Sequence, residues 1–215
     1  MKLDFTSSAL IMVDVQYDFC PGGALGVSKG DQVIKPLNYL SSLFSSQNGT
    51  VIATQDWHPA NHASFASSHE NKKPGETIDL PKVKNQILWP RHCVQGSKGA
   101  EFHKNLDIGP VSFIIRKGFR ADLDSYSAFF ENDRKTPTGL NGFLKSLSIE
   151  TVLIGGLATD YCVFYSAMDA VSSGFKTFVV GDAVQGVDVP RGSIERAHKF
   201  LDKAGVIIVV SENIE

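Results

Sequence analysis

Cys162 is the residue of this sequence whose surroundings most favour nucleophilic chemistry. It follows the glycine pair Gly155-Gly156, which permits a tight turn, and Thr159 or Asp160 can cap a helix that begins there. The positive end of a helix dipole is expected to lower the pKa of such a thiol, and free backbone N–H groups nearby can stabilise an oxyanion. A lone buried cysteine is more commonly an inert core residue. Its place in a first helical turn reverses that preference, and we interpret Cys162 as a nucleophile.

Asp14 and Lys117 are the candidates for the acid–base chemistry that a cysteine nucleophile needs. A cysteine hydrolase requires a base that takes the thiol proton and returns it to the leaving amine, and Asp14 ends an apolar run where such a base is useful. Lys117 can pair with Asp14 and orient the reacting groups. Taken singly, Asp14 fits a structural cap or ion-pair partner, and Lys117 fits a solvated lysine. No histidine follows a strand end in a way that recommends it as the base.

A second set of residues has the spacing of metal ligands. Asp56 and His58 stand two residues apart, so both side chains can reach one ion if the chain there is extended. His92 lies on the same long loop and is the natural third ligand of an open Asp/His/His site. Zn²⁺, Mn²⁺ and Fe²⁺ all suit this donor set, and Zn²⁺ is the expected ion. His62 is predicted to supply either a further ligand or a supporting hydrogen bond. His69 and His103 are predicted to be surface residues.

Six short apolar runs, separated by helix-like stretches, must position these residues. Continuous runs rich in β-branched residues are typical of parallel strands that are covered on both faces. Their alternation with helices predicts a three-layer, doubly wound α/β domain with a mainly parallel six-stranded sheet and helices on both faces. The predicted strands are Ala9–Val15, Thr50–Thr54, Val111–Arg116, Thr151–Ile154, Thr177–Val180 and Val206–Val210. The predicted helices are Asp31–Phe44, Thr138–Leu147, Thr159–Ser173 and Ser193–Ala204.

The chemically capable residues fall at the ends of the predicted strands. Asp14 ends the first run, Asp56 follows the second, Lys117 follows the third, and Cys162 lies a short turn beyond the fourth. Because ligands of open parallel sheets bind outside the carboxyl ends of the strands, these four residues are predicted to share one site. Two long irregular stretches, residues 20–30 and 56–104, are expected to be functional loops, since loops beyond about 12–15 residues are uncommon in compact domains.

The composition fits one globular domain over residues 1–215. The chain is 42% hydrophobic and 20% charged, which is enough to bury a sizeable core. With 21 basic and 23 acidic residues, it has no basic excess that would favour nucleic acid. No segment approaches the roughly 20 apolar residues of a membrane span. Three scattered cysteines do not form a disulfide framework, which predicts a reducing, cytoplasmic location. A homo-oligomer is left open.

Taken together, these motifs resemble one known family. Blocks around the candidate residues resemble the nicotinamidases of the isochorismatase-like hydrolase superfamily, occur in the family's order and run through most of the chain. The blocks are Asp14-x-Gln16-x-Asp18-Phe19, Thr54-Gln55-Asp56-Trp57-His58, Trp89-Pro90-x-His92-Cys93-Val94, Lys117-Gly118 and Gly156-Leu157-Ala158-Thr159-Asp160-Tyr161-Cys162-Val163.

The resemblance implies an activity and a site. It implies a Rossmann-like sheet and the hydrolysis of nicotinamide to nicotinic acid and ammonia through a cysteine thioester, as part of NAD salvage. It implies one divalent transition metal ion that binds the pyridine nitrogen of the substrate. The implied triad is Asp14, Lys117 and Cys162, and the implied metal ligands are Asp56, His58 and His92.

The resemblance also implies how the substrate is held. The backbone N–H groups of Ala158 and Cys162 would form the oxyanion hole, with a cis peptide between Leu157 and Ala158. Phe19 and Trp89 match positions that flank the nicotinamide ring, in agreement with the need for flat apolar walls around a flat ligand. Tyr126 is a further candidate for the pocket, although core packing explains it equally well.

Several other functions fit parts of this pattern. An amidohydrolase with the same triad, acting on a carbamoyl or ureido substrate, is the nearest alternative, and family members of that kind generally lack the Asp/His/His set. An isochorismatase is disfavoured because its reaction does not use a cysteine nucleophile. A non-catalytic metal-binding sensor is disfavoured because base, lysine and thiol occur together. The glycine-rich stretch 22–26 lacks the glycine spacing of a dinucleotide site.

Overall fold

A six-stranded parallel sheet forms the centre of the protein, whose computed structural model describes residues 1–215. The strands are β1 (Ser8–Val13), β2 (Thr50–Asp56), β3 (Thr77–Ile78), β4 (Gln86–Ile87), β5 (Phe113–Lys117), β6 (Thr151–Leu157), β7 (Lys176–Gln185) and β8 (Ile207–Val209). The sheet order is β5-β2-β1-β6-β7-β8, and every neighbouring pair is parallel. Strands β3 and β4 form a separate antiparallel pair. The predicted six-stranded parallel sheet is confirmed.

Helices cover both faces of the sheet, as predicted. The helices are α1 (Ile34–Ser46), α2 (Leu140–Ser146), α3 (Phe164–Ser172) and α4 (Ser193–Lys203). Helix α1 packs on one face, and α2, α3 and α4 pack on the other. The predicted helix over 159–173 is partly wrong, because its first five residues, Thr159–Val163, form a π-helical turn before α3 begins.

Helix α1 illustrates how the sequence specifies these layers. Leu37, Leu40 and Phe44 recur at helical spacing, are fully buried, and pack on the sheet. Burial of each such side chain stabilises the fold by about 1.5–3 kcal/mol. The helix ends because Asn48 adopts a left-handed φ of 59°, and the Gly49 N–H donates to the Phe44 carbonyl over 2.7 Å.

The order of the strands creates a crevice at the carboxyl edge of the sheet. The chain proceeds from β1 through β2 to β5 in one direction, and from β6 through β7 to β8 in the other. Strands β1 and β6 are neighbours, so the two directions diverge between them. Open α/β sheets bind ligands at such a switch point. The long stretch between β2 and β5 lies beyond the same edge and contains β3, β4 and short 3₁₀ turns. No helix has the length and apolar character needed to cross a bilayer.

Candidate active site

Four adjacent strands bring the four candidate side chains together. Asp14 directly follows β1, and Asp56 and Lys117 are the last residues of β2 and β5, where they are paired in register. Cys162 lies five residues beyond β6, in the π-helical turn. One carboxylate oxygen of Asp14, one of Asp56 and the sulfur of Cys162 all lie within 4.8 Å of one another. The predicted meeting of these residues at one sheet edge is therefore what the structure shows.

Lys117 stands at the centre of this group. Its ammonium lies 2.8 Å from Asp14 Oδ2 and 2.5 Å from Asp56 Oδ1. It also donates to the Ser125 carbonyl over 2.9 Å and to Cys162 Sγ over 3.4 Å. Burial by itself lowers the pKa of Lys117, but the Asp14 and Asp56 carboxylates outweigh it and raise this pKa well above its usual value. Lys117 is therefore a fixed positive charge beside the sulfur.

Asp14 is oriented by a neighbouring strand. It adopts a φ of 48°, which is uncommon for a residue other than glycine. The Thr54 hydroxyl donates to Asp14 Oδ1 over 2.6 Å and accepts from the Asp14 N–H over 3.1 Å. The other oxygen, Oδ2, pairs with Lys117 but receives no well-aligned hydrogen bond. Burial raises the pKa of Asp14, against the opposing effect of Lys117. This carboxylate is therefore a stronger base than an exposed aspartate.

The surroundings of Cys162 correct one prediction from the sequence. The thiol was expected to have a lowered pKa at a helix N-terminus, and this is wrong for the structure described. Burial raises the pKa of Cys162 well above its usual value; Lys117 lowers it, and the Asp14 and Asp56 carboxylates raise it further. The helix dipole is a weaker influence than loss of water next to two acids. Cys162 is thus a protonated thiol, and a nucleophilic role for it would require an adjacent base.

The backbone before Cys162 has the form expected of an oxyanion site. The peptide between Leu157 and Ala158 is cis, as the resemblance implied. The Ala158 carbonyl accepts from the N–H groups of Tyr161 and Val163, both over 3.1 Å, while the Ala158 N–H has no backbone partner. Ala158 and Cys162 both line the candidate substrate cavity. The role of their N–H groups in binding an oxyanion stays a prediction.

Asp56, His58 and His92 form a compact, buried group of ligand atoms. These atoms lie within 4.8 Å of one another. The Nε2 atoms of His58 and His92 lie 3.3 Å and 3.7 Å from Asp56 Oδ2, while Asp56 Oδ1 is occupied by Lys117. Burial raises the pKa of Asp56, but Lys117 and His58 outweigh it and hold this pKa well below the usual value. The group therefore combines an ionised carboxylate with two imidazoles, a donor set that suits a divalent transition metal.

Backbone carbonyls orient the two imidazole rings of this group. His58 Nδ1 lies 2.9 Å from the Gly118 carbonyl, and His92 Nδ1 lies 2.7 Å from the Pro90 carbonyl. A ring that donates from Nδ1 presents Nε2 as a free ligand, as in metal sites generally. Gly118 is required here: a Cβ at this position would lie 2.4 Å from His58 Cε1. The residues present fit a metal ion.

The remaining histidines lie outside this ligand group. Both ring nitrogens of His62 face protein atoms, the Ser64 hydroxyl at 2.7 Å and the Leu123 carbonyl at 3.4 Å. Its ring packs against His58 with centroids 4.3 Å apart. This arrangement favours a supporting role for His62 over ligation. His69, His103 and His198 are half-buried and take no part in the site.

Aromatic side chains line the cavity above the sulfur. Phe19, Trp89 and Tyr126, the three predicted substrate-binding residues, all face it together with Cys162 and His92. Tyr126 is tied to Trp89, whose indole Nε1–H donates to the Tyr126 hydroxyl over 3.0 Å. A mostly apolar pocket that is bordered by a thiol and by a metal-ligand group is suited to a small aromatic amide.

Sequence reasoning missed several residues that complete the site. Thr54 was within reach, because it is two residues from Asp56 on β2 and side chains two apart on a strand share a face. Asp124 lines the cavity two residues before Tyr126. Leu25 and Val187 also line it, although they are distant in sequence. No local pattern marks Leu25 or Val187, since only the folding of two loops over the sheet edge places them there.

Comparisons with known proteins show the family to which the chain belongs. The sequence profile of the family described as "Isochorismatase domain" matches residues 8–212. A nicotinamidase of Acinetobacter baylyi is 49% identical over 206 residues, covering 96% of this chain and 94% of that protein. A nicotinamidase of Escherichia coli is 44% identical over 197 residues, covering 90% of this chain and 89% of that protein.

Solved structures of similar proteins superpose on nearly the whole chain. A nicotinamidase of Acinetobacter baumanii superposes with a TM-score of 0.92 at 49% identity, covering 97% of this chain and 98% of that one. A protein from L. infantum in complex with nicotinate has a TM-score of 0.85 at 36% identity, with 100% and 98% of the two chains covered. A pyrazinamidase of Pyrococcus horikoshii in complex with zinc has a TM-score of 0.76 at 36% identity, with 95% and 99% covered.

Proposed function

Since the chain belongs to the Isochorismatase domain family, we infer that it is a nicotinamidase, which hydrolyses nicotinamide to nicotinic acid and ammonia. The observation that carries this inference is the contact between the triad and the metal-ligand group: Lys117 pairs with both Asp14 and Asp56. One buried ammonium thus joins the base beside Cys162 to the carboxylate of the Asp/His/His set. Nicotinamidases at 49% and 44% identity support the substrate. The usual context of this reaction is NAD salvage.

The first half of the reaction follows from the contacts around Cys162. Asp14 takes the thiol proton, and the sulfur attacks the carbonyl carbon of the amide. Lys117, 3.4 Å from Sγ, stabilises the developing thiolate. The backbone N–H groups of Ala158 and Cys162 hold the carbonyl oxygen as it becomes negative. Protonated Asp14 then transfers its proton to the nitrogen, the C–N bond breaks, and ammonia leaves a thioester on Cys162.

The second half reverses these roles. A water molecule enters where ammonia was, and Asp14 takes one of its protons as the oxygen attacks the thioester carbonyl. The C–S bond breaks, the sulfur recovers the proton from Asp14, and nicotinic acid is released. The raised pKa of Asp14 suits a group that must both accept and donate a proton.

The metal completes the proposal. Asp56, His58 and His92 would hold one divalent ion, which we propose to be Zn²⁺, and when bound it supplies a Lewis-acid contact for the pyridine nitrogen and so orients the ring. The pyrazinamidase in complex with zinc supports this choice of ion. Phe19 and Trp89 would then hold the two faces of the ring, while Tyr126 braces Trp89.

An ammonia-release assay tests the proposed function. Purified protein is incubated with nicotinamide as isolated, after chelation, and after Zn²⁺, Mn²⁺ or Fe²⁺ is restored. We expect ammonia in the first arm, loss after chelation, and recovery with at least one ion. No ammonia from nicotinamide under any metal condition would overturn the proposal. Turnover of a ureido amide by metal-free protein would instead support the alternative amidohydrolase.

The other sequence predictions stand as proposals. Three free cysteines support a cytoplasmic location. The family match over residues 8–212 supports one domain for the chain. The small-molecule ligand of the L. infantum structure, nicotinate, supports a small-molecule substrate here. That the protein binds no nucleic acid stays a prediction from its charge, and a homo-oligomer stays open.

A further inference from the structure

The segment that joins β7 to α4, residues 186–192, forms part of the substrate cavity. Val187 lines the cavity, although it carries no group that could take part in chemistry. The segment has only seven residues, and it lies beyond the same carboxyl edge of the sheet as Cys162. The contacts that hold this segment in place should therefore affect how tightly the substrate binds.

A buried carboxylate, two residues before Cys162, holds the segment of residues 186–192 in place. Asp160 is 7% exposed and has no cationic partner. Its Oδ1 accepts the Val187 N–H over 3.0 Å, and its Oδ2 accepts the Asp188 N–H over 2.9 Å and the Ser193 hydroxyl over 2.5 Å. Three donors thus compensate one buried charge, and all three come from residues 187–193. Removing the carboxylate leaves these donors unpaired, which is costly in a buried site.

Two further contacts show how closely the segment is fitted to the nucleophile turn. A Cβ at Gly186 would lie 3.0 Å from Asp160 Oδ1 and 2.6 Å from Ile194 Cδ1, so only glycine allows this approach. The Tyr161 hydroxyl donates to the Val189 carbonyl. The Tyr161 ring in turn packs edge-on against Trp89, with centroids 4.9 Å apart. The turn that carries Cys162 therefore holds the segment through both residues that precede the sulfur.

We propose that Asp160 is a positioning residue that holds Val187 against the substrate cavity and thereby sets the affinity for the amide, while leaving the chemical step unchanged. The inference rests on the proposed function. Asp160 contacts no reacting group, since its oxygens are occupied by the segment. Loosening Val187 weakens contacts that the substrate and the transition state share, and the loss of such contacts raises KM without lowering kcat.

Kinetics of Asp160→Asn test this role. We expect KM for nicotinamide to rise roughly tenfold while kcat stays within about threefold of wild type. The matched control is Asp182→Asn, because Asp182 accepts the N–H of Ser211 over 2.8 Å and its hydroxyl over 2.5 Å, outside the cavity. The control should keep the wild-type KM. A kcat that falls as far as kcat/KM, with KM unchanged, would overturn the proposal.

A double-mutant cycle tests whether the effect passes through Val187. Val187→Ala should raise KM, and adding Asp160→Asn to it should raise KM little further, because the side chain being positioned is already gone. If Asp160 acts independently of Val187, the KM increases of the two single variants multiply in the double variant. That result would contradict the inference.

Two further measurements keep the inference testable if Asp160→Asn does not fold or if nicotinamide is not the substrate. Ser193→Ala removes one donor only and should raise KM two- to threefold, whereas Ser193→Thr keeps a hydroxyl and should restore the wild-type value. Amide hydrogen exchange at Val187 and Asp188 should quicken in Asp160→Asn and Ser193→Ala but not in Asp182→Asn. If wild type releases no ammonia from nicotinamide, the proposed function fails. If wild type is active but exchange is unchanged in both variants, the inference about Asp160 fails.

Discussion

The ammonium of Lys117 lies 3.4 Å from the sulfur of Cys162, and both side chains are buried. Lys117 is also paired with two carboxylates, so two acids share a single cation that faces the thiol. A site of this kind depends on every member. Removing one partner of a buried ion pair leaves an uncompensated charge, while removing the thiol takes away the nucleophile and leaves the ion pairs of Lys117 in place.

Replacing Cys162 by alanine should abolish ammonia release while the protein stays folded and able to bind metal. We expect a loss of roughly 10⁴-fold or more in kcat, since no other group can form the thioester. Metal content after dialysis and ammonia release are measured on the same preparation. Cys20→Ala, a buried cysteine outside the cavity, should keep its activity. Retained turnover in Cys162→Ala would contradict the assignment of the nucleophile.

Replacing Lys117 by methionine should destabilise the protein as well as inactivate it. Asp14 and Asp56 would face each other without their cation, and loss of one partner from a buried pair costs about 3–5 kcal/mol. Urea unfolding measures this change in the free energy of unfolding. The control is Lys82→Met, which breaks an exposed pair with Asp122 at 2.7 Å and should cost no more than about 1 kcal/mol. Equal stability losses in the two variants would argue against a central role for Lys117.

Replacing Gly118 by alanine should lower metal affinity. The added Cβ would lie 2.4 Å from His58 Cε1, so the imidazole must move, and disturbed ligand orientation costs roughly 10–100-fold in affinity. Metal content is measured by elemental analysis against increasing chelator. Gly96→Ala is the matched control, because Gly96 has a similar positive φ of 74° but nothing within 4 Å of its Cβ position. Normal metal content in Gly118→Ala would show that His58 is not a ligand.

Replacing Tyr126 by phenylalanine should weaken substrate binding. The Trp89 indole N–H would lose its acceptor, and an unpaired buried donor costs about 1–3 kcal/mol, so KM should rise several-fold or more. Steady-state kinetics on nicotinamide measure the change. Tyr165→Phe alters a neighbouring ring, 5.4 Å from Tyr126, that does not line the cavity, and its KM should match wild type. An unchanged KM in Tyr126→Phe would show that Tyr126 serves core packing and not substrate binding.

Glu131 should make stability fall as pH rises through mildly acidic values. Burial raises its pKa from the usual 4.5, against the opposing effect of Arg120, whose Nε lies 3.0 Å away. An acid whose folded pKa exceeds its unfolded pKa binds its proton more tightly when folded, so the stabilisation is present below the unfolded value and is lost as pH rises through the folded one. Relative to Glu131→Gln, wild type should therefore lose stability as pH increases above 4.5. Urea unfolding of both proteins across this range checks the sign, and an opposite slope would contradict it.

The sequence by itself determined the layers of the fold and most of the residues at its site. Continuous apolar runs must be covered on both faces, so the parallel sheet and its helices follow from local pattern. The carboxyl ends of parallel strands meet at one edge, which is why Asp14, Asp56, Lys117 and Cys162 could be grouped before any contact was known. The metal-ligand spacing of Asp56 and His58 was equally local.

Only the tertiary structure decided how these groups affect one another. The strand order β5-β2-β1-β6 brings Lys117 within contact of both Asp56 and Asp14, and burial beside these acids raises the pKa of Cys162, against the prediction from the helix dipole. A pKa depends on the charges and the water around a group, which local sequence does not specify. The same is true of Asp160 and Val187: they are 27 residues apart in the chain and meet only because β7 and β6 are neighbours in the sheet.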